Sequence, residues 1–180
     1  IKIDKPRVRR KLPNILSIEE VDNLLDIELN NAFDYRNKAM LELMYSSGLR
    51  VSELVDLKLK DIDLDSGYVK CFGKGNKERT IYLNNACMKA LSDYLSVRPK
   101  EGIKHDKKYS EKALFLSERR ERISNRTVQY IINKELSKAG LDSNKYSVHK
   151  LRHTAATLMY QYGQVDILSL IHISEPRRPY

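Results

Sequence analysis

The spacing of apolar positions along the chain predicts a series of amphipathic helices. Ser17 and Glu20 stand three residues apart at the start of an apolar stripe, which is the pattern of a capping box that begins a helix. A second helix is predicted from about residue 34 to residue 47, and Gly48 is a natural end for it. A short helical segment follows. Further helices are predicted over residues 85–98, 125–139 and 148–162.

The apolar period changes in the middle of the chain, where three short stretches have the pattern of strands. They cover residues 62–64, 68–72 and 80–83. A turn at 65–67 separates the first two, and a turn at 73–76 separates the last two. The sequence therefore predicts a mainly α fold with a small three-stranded antiparallel β-sheet.

Composition places this fold in a single basic domain. The chain has 180 residues, of which 41% are hydrophobic, and it carries 33 Lys and Arg against 24 Asp and Glu. The net charge of +9 favours a polyanionic partner, most simply nucleic acid. Residues 1–13 are expected to form a basic linker or arm, because Pro6 and Pro13 disfavour a helix there. The alternative is that this arm is only a solvated leader.

Several classes of protein are excluded at this stage. No apolar run approaches the roughly 18 residues that a membrane span needs, and no signal-peptide pattern is present. Cys71 and Cys87 do not form a CxxC pair, which argues against a disulfide framework or a zinc knuckle. The expected compartment is therefore a reducing cytoplasm.

The first segment that could carry chemistry is Gly48-Leu49-Arg50-Val51-Ser52-Glu53-Leu54. Arg50 follows a helix end, and Glu53 could hold its guanidinium so that it presents a rigid fork to a phosphate. The alternative is an ordinary surface ion pair.

The second segment, Gly73-Lys74-Gly75-Asn76-Lys77-Glu78-Arg79, lies in the predicted hairpin and is neither a Walker loop nor a dinucleotide fingerprint. It could carry Lys74 to a phosphate or to a leaving oxygen, or it could be a polar turn with solvated charges.

The third segment is His149-Lys150-Leu151-Arg152-His153. On a helix His149 and Arg152 share a face, and an imidazole beside a guanidinium near a helix start suits an anion. The two histidines have the spacing of a zinc-binding helix, but Lys150 stands where the metalloprotease pattern has glutamate, so a metal is not expected. The alternative is a capped helix with solvated basic residues.

Taken together, GLRVSEL, GKGNKER and HKLRH resemble, in order and spacing, the catalytic domain of the tyrosine recombinases, the lambda-integrase and Xer family. The resemblance covers about residues 12–166 and is strongest to the Xer-like subgroup. It implies a fold of DNA breaking-rejoining enzymes and places Arg50, Lys74, His149 and Arg152 as catalytic residues. Glu53 would support these residues without itself contacting the phosphate.

The resemblance further implies a site-specific recombinase that cuts and rejoins double-stranded DNA through a 3′-phosphotyrosyl intermediate. The family uses neither metal nor cofactor, and its full-length members act as tetramers on DNA. The two arginines and His149 would stabilise the charge that develops on the phosphate, and Lys74 would protonate the departing 5′ oxygen. The alternative is a DNA-binding module, derived from a recombinase, that does not cut.

The end of the chain departs from the family pattern. A further His or Trp would be expected near position 175, where Glu175 stands, and the nucleophilic tyrosine near 184. His172 and Tyr180 come too early to match them. Residues 168–180 resemble the translation of a sequencing-library adapter, so we expect a catalytic domain over 14–167, incomplete at its C-terminus, and a non-native tail. Such a chain would bind DNA without cutting it. The alternative is a divergent end with Tyr180 as the nucleophile.

Overall fold

The computed structural model describes residues 16–106, 108–109, 111–142, 151–154 and 157. It confirms the predicted fold class: up to residue 142 the described chain forms five α-helices, with a three-stranded antiparallel sheet inserted between the third and the fourth. In chain order the elements are α1 Ile18–Leu25, α2 Ala32–Ser47, α3 Val51–Val55, β1 Ile62–Asp63, β2 Tyr68–Phe72, β3 Glu78–Tyr82, α4 Asn85–Val97 and α5 Asn125–Lys138.

Capping explains where the first two helices begin. The predicted capping box of α1 is present, with Ser17 accepting from the amide of Glu20 and the Glu20 carboxylate accepting from the amide of Ser17. Helix α2 begins at Ala32 rather than near residue 34, because Asn31 caps it and forms a second box with Asp34. The cap moves the start of the helix by about half a turn.

Helix α2 lies at the centre of the molecule and packs along α4. Its apolar residues from Ala39 to Met44 are buried, and polar ones such as Glu42 and Ser47 are buried with them. Burial on more than one face makes α2 a core helix, packed mainly against α4. The inner face of α4 consists of four buried residues, Cys87, Ala90, Leu91 and Tyr94.

The sheet follows the predicted order, β1-β2-β3, and both pairs are antiparallel. Strand β3 begins at Glu78 rather than at residue 80, because Phe72 and Glu78 still pair across the hairpin. Its exposure alternates, so Arg79 and Ile81 face inward while Glu78, Thr80 and Tyr82 are exposed.

Two buried arginines hold the apolar segment 113–116 against the helices. Arg98 donates to the carbonyls of Leu114 and Ala113, and Arg36 donates to that of Leu116. Burial lowers the pKa of both guanidinium groups. Because both guanidinium groups donate to backbone carbonyls of this segment, Arg36 and Arg98 stabilise the fold.

The last predicted helix, 148–162, lies mostly outside the described residues, although residues 151–154 are helical. Thr154 fastens this piece to the beginning of the described chain, since its Oγ1 accepts from the amide of Leu16 at 2.9 Å. Among the described residues no helix combines the length and the apolar character that crossing a membrane requires.

Candidate anion-binding site

The turn between α2 and α3 is the centre of the candidate site. Gly48 ends α2 in the left-handed conformation, with φ of 67°, which reverses the chain and leaves its carbonyl available. Leu49 is buried, and Arg50 follows it as an exposed residue at the start of α3. The turn therefore buries an apolar anchor and keeps the next side chain, a guanidinium, at the surface.

Arg152 reaches the same turn from the other end of the sequence. Its Nε donates to the carbonyl oxygen of Gly48, and the residue is only 5% exposed. Among the residues that the structure describes, its buried Nη1 has no hydrogen-bond partner. A buried charged donor without a partner lowers the free energy of unfolding. In Arg152 this donor lies at the turn that presents the exposed Arg50, so the two guanidinium groups together are available to a ligand. An anion would satisfy the unpaired donor.

Glu53 is placed differently from the prediction that it holds the guanidinium of Arg50. One carboxylate oxygen accepts from the backbone amide of Arg50 at 3.0 Å, and the other pairs with the guanidinium of Arg79. Glu53 is buried, so both of its oxygens are used inside the protein. Glu53 therefore fixes the backbone of Arg50 and not its side chain. The prediction that Glu53 holds the guanidinium of Arg50 is wrong.

Lys74 lies at the exposed tip of the hairpin, as predicted. The turn is a tight helical one, Lys74–Asn76, in which Gly75 and Asn76 both have positive φ. The amide of Gly73 donates to the carbonyl of Lys77 at 2.9 Å and closes the turn. The turn of the hairpin begins close to Glu53, since a Cβ added to Gly73 would be 3.7 Å from Oε2 of that residue. It therefore lies near the turn formed by Gly48, Leu49 and Arg50, here called the arginine turn.

The structure thus joins the segment of Arg50 to the segment of Lys74 through the Glu53–Arg79 ion pair. The third segment is attached by the hydrogen bond from Arg152 to Gly48. His149 lies outside the described residues, as do His172 and Tyr180. Nothing in the structure therefore bears on their placement.

Sequence reasoning missed Arg79, which belongs to this arrangement. The signal was present in the period of the strand, because Arg79 alternates with the exposed Glu78 and Thr80 and shares its face with buried Ile81. A charge on the inner face of a strand needs a partner of opposite charge. Glu53 is that partner, and it lies 26 residues earlier in the chain.

The electrostatics of the site favour an anion. The acidic group at its centre, Glu53, is neutralised by Arg79, whereas Arg50 and Lys74 remain exposed. Cys71 pairs with Arg79 across the hairpin. Burial raises the pKa of its thiol although Arg79 partly opposes the rise, which disfavours the reactive thiolate. Within the described ranges no cluster of His, Cys, Asp and Glu could hold a metal ion.

Comparison with known proteins adds a family to this geometry. The sequence model of the phage integrase family matches residues 14–171. A tyrosine recombinase XerC from Caldanaerobacter subterraneus subsp. tengcongensis is 52% identical over 168 residues, which are 93% of this chain and 45% of that protein.

Solved structures agree with the sequence comparison. The crystal structure of the XerA recombinase superposes with a TM-score of 0.75 at 31% identity, over 91% of this chain and 55% of the other. The XerH site-specific recombinase, crystallised on its difH substrate before cleavage, gives 0.73 at 27% identity, over 91% and 47%. The chain spans about half the length of the relatives it matches.

Proposed function

The chain belongs to the phage integrase family, and we propose that it is the catalytic part of a site-specific recombinase that cuts and rejoins double-stranded DNA. The observation that carries the proposal is the buried guanidinium of Arg152, which is fastened to Gly48 and keeps an unpaired Nη1. A phosphodiester supplies the negative oxygens that this donor lacks. The net charge of +9 supports the same partner.

Arg50 and Arg152 would act on the phosphate as a pair. In the pentavalent transition state the non-bridging oxygens gain negative charge, and a fixed guanidinium stabilises that charge more than it stabilises the ground state. The turn at Gly48 suits this role, because it fastens Arg152 by Nε and presents Arg50 two residues later. His149 would add a third donor.

Lys74 would serve the leaving group. As a tyrosine oxygen attacks phosphorus, the bond to the 5′ oxygen breaks, and that oxygen takes a proton from the Lys74 ammonium. The DNA is then held as a 3′-phosphotyrosyl ester. Attack by a 5′ hydroxyl of another strand releases the tyrosine and rejoins the DNA, so the bond energy is conserved and no cofactor is consumed. Exposure of Lys74 at the tip of a hairpin is compatible with reaching such a group.

The nucleophile is the part of the proposal that gene sequencing tests. We propose that the native reading frame departs from this sequence after residue 167 and encodes a tyrosine near position 184. Sequencing the source gene beyond codon 167 would find it. A frame that ends at Tyr180 would favour the alternative function, a DNA-binding module that does not cut, unless Tyr180 itself forms the ester. A cytoplasmic location and a tetramer on DNA are part of the same proposal.

Binding of a fluorescent DNA duplex tests the phosphate site in the chain as it stands. We expect Arg50→Ala and Arg152→Ala each to weaken binding by about tenfold, the value of a charge-assisted hydrogen bond of about 1.4 kcal/mol, and to lower the salt slope by about one. Lys89→Ala is the matched control, because Lys89 is exposed and pairs with Asp93 on the same helix at 2.7 Å.

Unchanged affinity of both arginine variants would refute the proposal. An equal loss in the Lys89 variant would also refute it, since the effect would then report net charge and not a site.

A further inference from the structure

Arg79 joins the hairpin to the arginine turn through a shielded ion pair. Its side chain is 21% exposed, and that of its partner Glu53 is 9% exposed. Ion pairs shielded to this degree are screened little by salt, and losing one partner leaves a buried charge uncompensated. The link between Arg79 and Glu53 is therefore strong compared with the surface ion pairs of this chain.

The position of Arg79 allows its ion pair with Glu53 to hold the hairpin relative to the turn that presents Arg50. Arg79 lies opposite Cys71, in the second pair of the hairpin counted from its turn, and Lys74 lies in that turn, five residues earlier in the chain. Glu53 meanwhile accepts from the amide of Arg50. One carboxylate thus contacts both the backbone that presents Arg50 and the strand that follows the Lys74 turn.

The neighbouring ion pair of the hairpin shows the contrast. Lys70 and Glu78 are 3.8 Å apart, and both side chains are about half exposed. They connect β2 with β3 and stay within the sheet. Among the described residues, the Glu53–Arg79 contact is the ion pair that connects the sheet with α3.

A purely stabilising role does not account for the geometry of Arg79. Its Nε is buried and has no hydrogen-bond partner within the described part of the chain. A charge kept only to neutralise Glu53 would be expected to satisfy its donors or to be a smaller group. The guanidinium contacts one oxygen of Glu53 and lies beside the thiol of Cys71, which fixes its orientation between the hairpin and α3.

We infer that Arg79 is a positioning residue: through Glu53 it sets the orientation of the hairpin, and hence of Lys74, relative to Arg50. The inference rests on the proposed function, because it concerns the same phosphate site. Arg79 itself need not touch DNA. Its effect on DNA should therefore pass through Lys74.

A double-mutant cycle on DNA affinity tests the inference. The link is removed by Glu53→Gln with Arg79→Met, which keeps an acceptor for the amide of Arg50 and leaves no unpaired charge. In the native background we expect Lys74→Ala to weaken binding of a DNA duplex by about fivefold, the loss of one lysine contact with a phosphate. In the unlinked background the same substitution should cost less than about twofold.

Two controls separate positioning from stability. Lys70→Gln with Glu78→Gln removes the exposed ion pair of the same hairpin, and there the full loss on Lys74→Ala should remain. Arg79→Lys keeps the positive charge beside Glu53, so it should restore part of the Lys74 effect that the unlinked background lacks. Circular dichroism confirms folding, and if the unlinked pair does not fold, Arg79→Lys replaces it in the cycle with a reduced Lys74 effect expected.

Three results would overturn the inference. They are an equal loss on Lys74→Ala in every background, no loss in any background, and a control pair that abolishes the loss as fully as the unlinked pair does. The failure of the proposed function looks different, because Arg50→Ala and Arg152→Ala would then bind DNA as the native chain does. If those two variants weaken binding while Lys74 shows no coupling to Arg79, only the positioning role is wrong.

Discussion

Thr154 holds the helix that carries Arg152 against the first described residues of the chain, and replacing it by valine tests that attachment. The hydroxyl of Thr154 accepts from the amide of Leu16 at 2.9 Å. Thr154 is 0% exposed and Leu16 is 1% exposed, so water cannot replace the hydroxyl. Valine has nearly the same shape but offers no acceptor.

The cost of Thr154→Val follows from that geometry. A buried amide left without a partner costs about 1–3 kcal/mol, and the added methyl group of valine gains little because the site is already filled. We expect the free energy of unfolding to fall by about 2 kcal/mol. For a chain of this size each kcal/mol shifts Tm by about 2–4 °C, so Tm should fall by about 4–8 °C.

Urea and thermal denaturation, followed by circular dichroism, measure this change. Thr154→Ser is the matched variant at the same site, because it keeps the acceptor and loses only a methyl group. Thr80→Val is the control elsewhere, since Thr80 is exposed on β3 and should be replaced without loss. Well below Tm, DNA affinity should fall far less on Thr154→Val than on Arg152→Ala, because the guanidinium is retained.

The reasoning would be refuted if Thr154→Val were as stable as the native chain. It would also be refuted if Thr154→Ser lost more stability than Thr154→Val, because the methyl group and not the hydrogen bond would then hold the helix. Either result would mean that the attachment of the Arg152 helix does not depend on the amide of Leu16.

Three further predictions concern buried or paired polar groups. Tyr94→Phe should lower the free energy of unfolding by about 1–2 kcal/mol in urea, because the amide of Leu116 loses its buried phenol partner. Burial raises the pKa of Cys87 to about 12, so its thiol should resist Ellman's reagent at pH 8 until the chain unfolds. The stability that the neutral thiol contributes is present below pH 9 and is lost as pH rises toward 12. The hydrogen bond from Lys60 lowers the pKa of Glu111 to about 2, so an NMR titration should find its carboxylate charged at pH 3. The associated stability should be lost as pH falls through 2. Lys60→Gln should return the pKa of Glu111 toward 4.5.

The local features of this fold could be read from the sequence because their causes are local. The capping box at Ser17, the end of α2 at Gly48 and the hairpin turn at Gly75 each depend on residues within about four positions. The start of α2 was missed although Asn31 and Asp34 carried its signal. The three segments around Arg50, Lys74 and Arg152 likewise indicated the family from residue types and order alone.

Only the tertiary structure decided how those segments meet. The carboxylate of Glu53 pairs with the guanidinium of Arg79 and not with that of Arg50. The Nε of Arg152 donates to the carbonyl of Gly48, 104 residues away along the chain. No local pattern fixes such contacts, because a buried charge takes the partner that packing brings to it. The sequence by itself determined which groups this protein offers to an anion. Packing around α2 and the sheet decided which of them are held rigid, since that depends on burial and on distances between residues far apart in the chain.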